Sequence, residues 1–211
     1  MKVISALKIT FEHQLYTMFH PIEGFYDMRY EKKGRISQII VNVILFWISF
    51  SFIKQYAGFM VNETYPLSYN LLGDLASILL VFILFSAANW SVTTLTDGEG
   101  RFVDIIMVVS YSLLPMILTF IPAALFSRLI TAEEAGFYGM ALGISIAWFL
   151  MLLFFGILTI HNYTVGKTIA TFFITFVSIV IILFLTVMVI SLLQQVVVFL
   201  RSIYIEMLFR T

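Results

Sequence analysis

The sequence predicts an all-α, polytopic membrane helical bundle of about five transmembrane helices, preceded by an interfacial amphipathic helix. Of 211 residues, 61% are hydrophobic and only 11% are charged, and the mean hydropathy is +1.02. A soluble fold would leave much of this apolar surface in water as large patches, which soluble monomers avoid. Five segments are also long enough to cross about 30 Å of hydrocarbon at about 1.5 Å per residue.

Residues 1–35 form the first predicted region, a cytoplasmic segment. Apolar residues recur there at steps of three and four, which is typical of one face of a helix lying at the headgroup level. His20 and Pro21 should end this helix, because the residue before a proline disfavours helical geometry. A turn region from Pro21 to Gly34 should follow. The apolar stripe comprises Ile4, Leu7, Phe11, Leu15, Met18 and Phe19.

Five predicted spans form a membrane domain over residues 36–199. In the third, Pro115 and Pro122 should kink the helix, because each lacks a backbone donor. The fifth has about 32 residues and exceeds one hydrocarbon thickness, so it should be a single long, tilted helix. Its end passes out of the lipid into a tail, 200–211. The spans are 36–56, 72–95, 103–126, 139–160 and 168–199.

Lysine and arginine near the ends of spans predict the orientation, because cytoplasmic loops retain them. The N-terminal segment holds six, and Arg101 and Lys167 raise the total on its side to eight, against four on the other. We therefore expect a multi-pass protein of the cell membrane with a cytoplasmic N-terminus and an extracellular C-terminus. The N-terminus lacks the pattern of a cleaved signal peptide, so the first span should act as an uncleaved signal-anchor.

Composition also excludes several functions. Net charge is zero and no basic field is present, so nucleic acid is not an expected partner. The chain has no cysteine, which excludes disulfides and thiolate chemistry. No Asp, Glu, Lys or Arg lies in the middle of a span, which counts against an ion-coupled carrier. We predict no enzymatic activity, no cofactor and no bound metal.

The densest polar feature runs from Asn89 to Arg101 and joins the second and third spans. Asp97, Glu99 and Asp104 could bind a hard cation through oxygen ligands. The favoured interpretation is a tight solvated turn, in which Gly98 and Gly100 adopt positive φ and Asp97 or Glu99 pairs with Arg101.

Single residues in the spans allow structural and functional interpretations. Asn89 should face the bundle as a contact between helices, with a substrate contact as the alternative. The prolines of the third span could form a transporter hinge, although proline is ordinary in spanning helices.

Intramembrane proteolysis is a further hypothesis, because Gly143-Ile144-Ser145 resembles a nucleophile turn and His161 follows it in the chain. The two residues lie in the fourth span or at its end, where sixteen residues of helix separate them by about 24 Å, far beyond hydrogen-bond reach. His161 should be a solvated loop residue. Metal binding would require it to meet the acidic turn 97–104.

Three stretches of the sequence carry a family resemblance: His20 to Asp27, Asn89 to Arg101, and Tyr111 to Pro115. They resemble the Yip family, the Ypt/Rab-interacting membrane proteins, and in particular its bacterial branch. Their order agrees with the family's five-span layout over nearly the whole chain. The candidate interaction or structural residues are Pro21, Gly24, Phe25, Tyr26, Asp27, Asn89, Trp90, Thr94, Asp97, Gly98, Glu99, Gly100, Arg101, Tyr111 and Pro115.

The resemblance implies an adaptor without catalytic residues. The chain lacks the Asp-Leu-Tyr-Gly-Pro-type motif of eukaryotic members, so the resemblance does not imply that this chain binds a GTPase. Bacterial relatives imply an accessory role beside sugar ABC-transporter subunits. We therefore expect a non-enzymatic adaptor or accessory subunit that uses segments 1–35 and 96–104, with membrane lipids and other membrane proteins as partners. The sequence is also compatible with a homo-oligomer. The alternative function is that of a small transporter or channel.

Overall fold

The computed structural model describes residues 2–62 and 69–209, in which helices form and no strand occurs. This confirms the all-α fold. A short 3-10 helix, Ala132–Glu134, precedes the seventh α-helix. The α-helices are α1 (Lys2–Phe19), α2 (Pro21–Tyr30), α3 (Ile36–Tyr56), α4 (Leu71–Leu95), α5 (Phe102–Ser112), α6 (Leu114–Phe126), α7 (Ala135–His161) and α8 (Val165–Phe209).

Five of these segments are long and apolar enough to cross a membrane. They are α3, α4, the pair α5 and α6, α7 with the preceding 3-10 helix, and α8. The number and order of the spans agree with the prediction. The third span lies at the centre: α5 contacts α3, α4 and α7, and α6 contacts α3 and α7. Its side chains are the most buried of the five spans.

The helix of the third span is interrupted two residues before Pro115, the first of the two prolines at which a kink was predicted. The helix is interrupted at Leu113, whose backbone N–H bonds to Ser110 O instead of continuing the α-helical ladder. Pro115 then lies in the first turn of α6, where its missing N–H is not needed. Pro122 lies inside α6, which continues through it.

The predicted turn region over 21–34 is wrong in its first part, because Pro21–Tyr30 is the helix α2. Proline occupies the first helical position, which favours helix initiation, and one face of α2 buries Gly24, Phe25 and Met28. Tertiary packing therefore stabilises a ten-residue helix that would be marginal alone. The break between α1 and α2 at His20 was predicted correctly.

α1 and α2 form an antiparallel hairpin that packs against the bundle. The buried face of α1 holds Gln14, Thr17 and Met18, whereas Phe11 and Phe19 of the predicted stripe are exposed. The side chains of Ile4 and Leu7 lie outside the described part. Trp148 Nε1 of α7 donates to Met18 O at 3.2 Å. This contact lies thirteen helical residues, or about 20 Å, from His161 at the end of α7. The interfacial position of α1 stays a prediction.

The hairpin depends on a close approach at Gly24. A Cβ there would lie 2.6 Å from Thr17 Cα, which is backbone and cannot rotate away. We expect Gly24→Ala to destabilise the hairpin by about 1–3 kcal/mol through overpacking, as measured by thermal unfolding in detergent. The matched control is Gly166→Ala in α8, where a Cβ would meet nothing within 4 Å. Equal effects of the two substitutions would argue against the close approach.

α8 is one continuous helix of 45 residues, so the predicted tail 200–211 is helical through Phe209. Its first part packs antiparallel to α4, with Phe85 and Phe172 rings 6.2 Å apart. From Leu183 to Glu206 every side chain of α8 is exposed.

Candidate functional site

Three polar segments meet at one end of the bundle. We call this surface the polar cap and define it as α2, residues 96–101 and residues 161–167. These segments are distant in the sequence, since they precede the first span, join the second to the third, and join the fourth to the fifth. The second of these segments leads directly into the central α5, which begins at Phe102.

Arg29 of α2 connects the other two segments of the cap. Its guanidinium donates to Ile160 O at the end of α7 and to Glu99 O at 2.8 Å. It also lies 3.6 Å from the Glu99 carboxylate. Sequence analysis counted Arg29 only as one of six N-terminal basic residues. Nothing local indicated that its partners lie seventy and more residues away.

The turn over residues 96–101 differs from the prediction in its backbone. Positive φ occurs at Asp97, at 55°, and at neither glycine. Gly98 and Gly100 are required for another reason, because the turn lies directly against His161. A Cβ on Gly98 would be 2.5 Å from His161 Nδ1, and one on Gly100 would be 2.7 Å from His161 Cε1.

His161 is buried, so its prediction as a solvated loop residue is wrong. It is the last residue of α7, and its Nδ1 accepts the Gly100 N–H at 3.1 Å. An accepting Nδ1 carries no proton, so the imidazole is neutral. Its ring stacks on Tyr163, whose hydroxyl donates to Thr96 O at 3.0 Å. In the sequence, the two glycines of the turn, Gly98 and Gly100, were the only indication that another residue packs closely against it.

The acidic residues of the turn act separately. Asp104 is buried and accepts from the Arg101 backbone at 3.0 Å and from its guanidinium at 3.1 Å, which raises the pKa of Arg101. Glu99 pairs with Arg29 instead of Arg101. Among the described residues, no group of three or more His, Asp or Glu side chains is placed to hold a metal ion.

The outer surface of the cap, together with the end of α4 beside it, carries exposed aromatic and apolar side chains. Tyr26 and Tyr30 are exposed on neighbouring turns of α2, with ring centroids 4.6 Å apart. Trp90 and Leu95 are exposed on the last turns of α4. The remaining predicted candidates on this exposed surface are Thr94, Asp97, Glu99 and Arg101.

Other candidate residues lie inside the molecule. Phe25 is fully buried against Gly156 of α7, and Tyr111 and Pro115 are buried in the central span. Asn89 is buried and donates to Thr175 of α8 at 3.1 Å, which confirms its packing between helices. These residues therefore do not belong to the exposed surface. Pro21 and Asp27 are partly exposed.

A buried polar cluster links α1 to the spans. Gln38 of α3 donates to Gln14 of α1 at 3.0 Å, and Asn42 donates to Ser110 O of α5 at 3.1 Å. His13 packs edge-on against Tyr111 with ring centroids 6.3 Å apart. Amide side chains of this kind fix the register of apolar helices, because few other groups can satisfy them.

The docking of α1 should weaken in acid. Burial lowers the pKa of His13 below 6.5, against the opposing influence of Asp27 and with a smaller lowering by Lys33. The undocked state therefore binds a proton more readily, so docking is strongest above about pH 6.5 and weakens as pH falls. Trp148, which bonds to Met18, reports docking in a variant with Trp47→Phe and Trp90→Phe. Its fluorescence should change between pH 7.5 and 5.5, and His13→Gln should reduce that change; an unaltered response would count against this role.

Ser145 and His161 do not form a catalytic pair. Both lie on α7, as predicted, and the Ser145 hydroxyl donates to Leu142 O within its own helix. His161 Nδ1 already accepts a hydrogen bond from the Gly100 N–H of the cap.

Comparison with known proteins places the chain in a family. A model of the Yip1 domain matches residues 15–200, which includes α2, all three segments of the polar cap and most of α8. No curated protein and no solved structure shows significant similarity to the chain. With a match over most of its length and five apolar spans, the chain is an integral membrane protein that belongs to the Yip family.

Proposed function

We propose that this Yip-family protein is a non-enzymatic adaptor or accessory subunit that binds another membrane protein through the polar cap. The observation that carries the proposal is the rigid support of two exposed tyrosines on α2. Arg29 fixes this helix to α7 and to the turn 96–101, so Tyr26 and Tyr30 are held before binding. Preorganised tyrosines are effective interface residues, because they lose little conformational freedom on binding.

The cap faces the cytoplasm of the cell membrane in this proposal. Lys32, Lys33, Arg101 and Lys167 lie in or beside it, and such residues are retained on the cytoplasmic side. Lys33 is paired with Asp27 and Glu31, each at 2.6 Å, and these hydrogen bonds raise its pKa. The resemblance to bacterial members suggests ABC-transporter subunits as the client.

A pull-down in mild detergent tests the proposal. The wild-type protein should recover a stoichiometric membrane protein, and Tyr26→Ala with Tyr30→Ala should reduce its recovery at least about tenfold, as expected for interface hot spots. The control is Phe59→Ala, which removes an aromatic residue that is 93% exposed near the opposite end of the bundle. Repeated recovery of the protein alone, or equal loss in the control, would contradict the adaptor role.

The alternative function, a small transporter or channel, can be tested with the same purified protein. Asn89 suggested it, but its side chain is enclosed between α4 and α8 and bonded to Thr175. Purified protein in liposomes should therefore move no solute. Solute flux that Asn89→Leu abolishes, without loss of the folded bundle, would replace the adaptor role with transport.

A further inference from the structure

The turn between α1 and α2 lies at the level of the middle of the fourth span. Met18 O, just before this turn, accepts a hydrogen bond from Trp148 Nε1 at 3.2 Å, and the ring centroids of Phe19 and Trp148 are 5.7 Å apart. Trp148 is close to the midpoint of the span Ala132–His161. Thirteen residues of α7 separate it from the polar cap, which corresponds to about 20 Å.

This distance places the turn within the hydrocarbon layer. The central span begins at the same cap and has 25 residues, which corresponds to a length of about 37 Å. A hydrocarbon layer of about 30 Å leaves at most about 7 Å of that span outside it. The turn of the hairpin therefore lies at least about 13 Å below the surface of the layer.

Both helices of the hairpin run along the spans between the cap and this depth. α2 lies beside the last turns of α7, since Phe25 packs at Gly156 and Arg29 donates to Ile160 O. α1 contacts both halves of the third span, including α6, which lies beyond the interruption at Leu113. A helix lying across the ends of the spans at the headgroup level could not reach α6.

The backbone of the turn is suited to an apolar environment. The His20 N–H donates to Tyr16 O at 2.8 Å, and His20 O accepts from the Gly24 N–H at 2.9 Å. The next residue, Pro21, has no N–H that would need a partner. Unpaired backbone groups are costly in hydrocarbon, so a turn of one residue closed by proline exposes few of them.

The side chains at the turn also fit this environment. Phe19 and Ile22 point away from the protein and are 62% and 55% exposed. The polar groups beside them contact one another: the Tyr16 hydroxyl donates to Glu23 at 2.5 Å, and the Tyr16 ring stacks on His20 with centroids 4.7 Å apart. Polar residues at membrane depth commonly pair with each other in this way.

We propose that α1 and α2 form a re-entrant hairpin, which enters the leaflet on the side of the polar cap and returns to the same side. Its tip, residues 19–22, contacts lipid acyl chains near the middle of the bilayer. This position replaces the headgroup-level helix expected from the apolar stripe of α1. Lipid is the partner of the tip because the neighbouring surfaces of the spans at this depth are themselves in hydrocarbon. This inference is independent of the adaptor role.

Cysteine labelling tests the depth of the tip, because the chain has no cysteine of its own. Ile22→Cys places a thiol at the tip, and Tyr30→Cys places one at the cap end of the same helix. In freeze-thawed liposomes of the purified full chain, a membrane-impermeant maleimide should label Ile22→Cys at least about tenfold more slowly, because the reactive thiolate does not form in apolar surroundings. Both should react alike in denaturing detergent. Equal rates in liposomes would overturn the proposal.

Quenching by brominated lipid tests whether acyl chains contact the tip. A bimane fluorophore is attached to each cysteine in liposomes whose lipids carry bromine in the middle of the chain. Fluorescence at residue 22 should be quenched at least about twofold more than at residue 30, which lies about 12 Å closer to the cap. Phe19→Cys should respond as Ile22→Cys does, which excludes a local defect in one variant. Equal quenching at residues 22 and 30 would overturn the proposal and leave the pull-down through the polar cap unaffected.

Discussion

Phe25→Ala is expected to destabilise the protein by about 3–5 kcal/mol, the range for removing a fully buried aromatic side chain. Phe25 is completely buried, and its ring would lie 3.2 Å from a Cβ on Gly156. Val108 of α5 approaches the same glycine, so the space left by the ring is enclosed by three helices and cannot collapse freely. Thermal and denaturant unfolding in detergent measure the loss.

Tyr26→Ala is the matched control for this substitution. It removes a ring of similar size from the next position, where about half of the side chain is exposed. Its cost should stay below about 1 kcal/mol, as is usual for surface substitutions. If the two variants unfold alike, α2 does not dock through Phe25.

Arg29→Ala is expected to destabilise the polar cap by about 2–4 kcal/mol. The substitution removes charged donors from Ile160 O and Glu99 O, and bonds to charged groups contribute about 1.5–3 kcal/mol each. The Glu99 carboxylate is half exposed, so its ion pair adds little. α2 and the turn 96–101 should become accessible to protease together, because both lose the same guanidinium.

Arg35→Ala controls for the loss of one positive charge. Arg35 is exposed just before α3, so its side chain can be removed without opening the cap. Protease sensitivity should be unchanged in this variant. A similar response to both substitutions would mean that net charge, and not the bonds of Arg29, holds the cap.

The spans could be predicted from the sequence because each depends on a property of its own residues. Twenty or so apolar residues must be helical in lipid, since their backbone groups find no other partner, and Pro115 cannot donate to the ladder. α2 could not be predicted in this way. Its ten residues mix polar and apolar side chains, and their helix packs through Phe25 against Gly156 and Val108, which lie in two of the spans.

The candidate site shows the same division. The prediction that Gly98 and Gly100 adopt positive φ is wrong. Glycine fits these two positions because His161, which lies about sixty residues away in the sequence, fills the space that a Cβ would need. Arg29 likewise has partners on two other segments. Contacts between distant segments leave no periodic signal in a single sequence.

Hydrogen exchange of residues 21–30 and 96–101, in the full protein in lipid nanodiscs, tests the central claim most directly. The account predicts that α2 is protected as a docked helix in the wild type. It also predicts that both segments lose protection together in Arg29→Ala and keep it in Arg35→Ala. Rapid exchange of residues 21–30 in the wild type, or loss of protection in only one segment, would contradict the polar cap as a single surface.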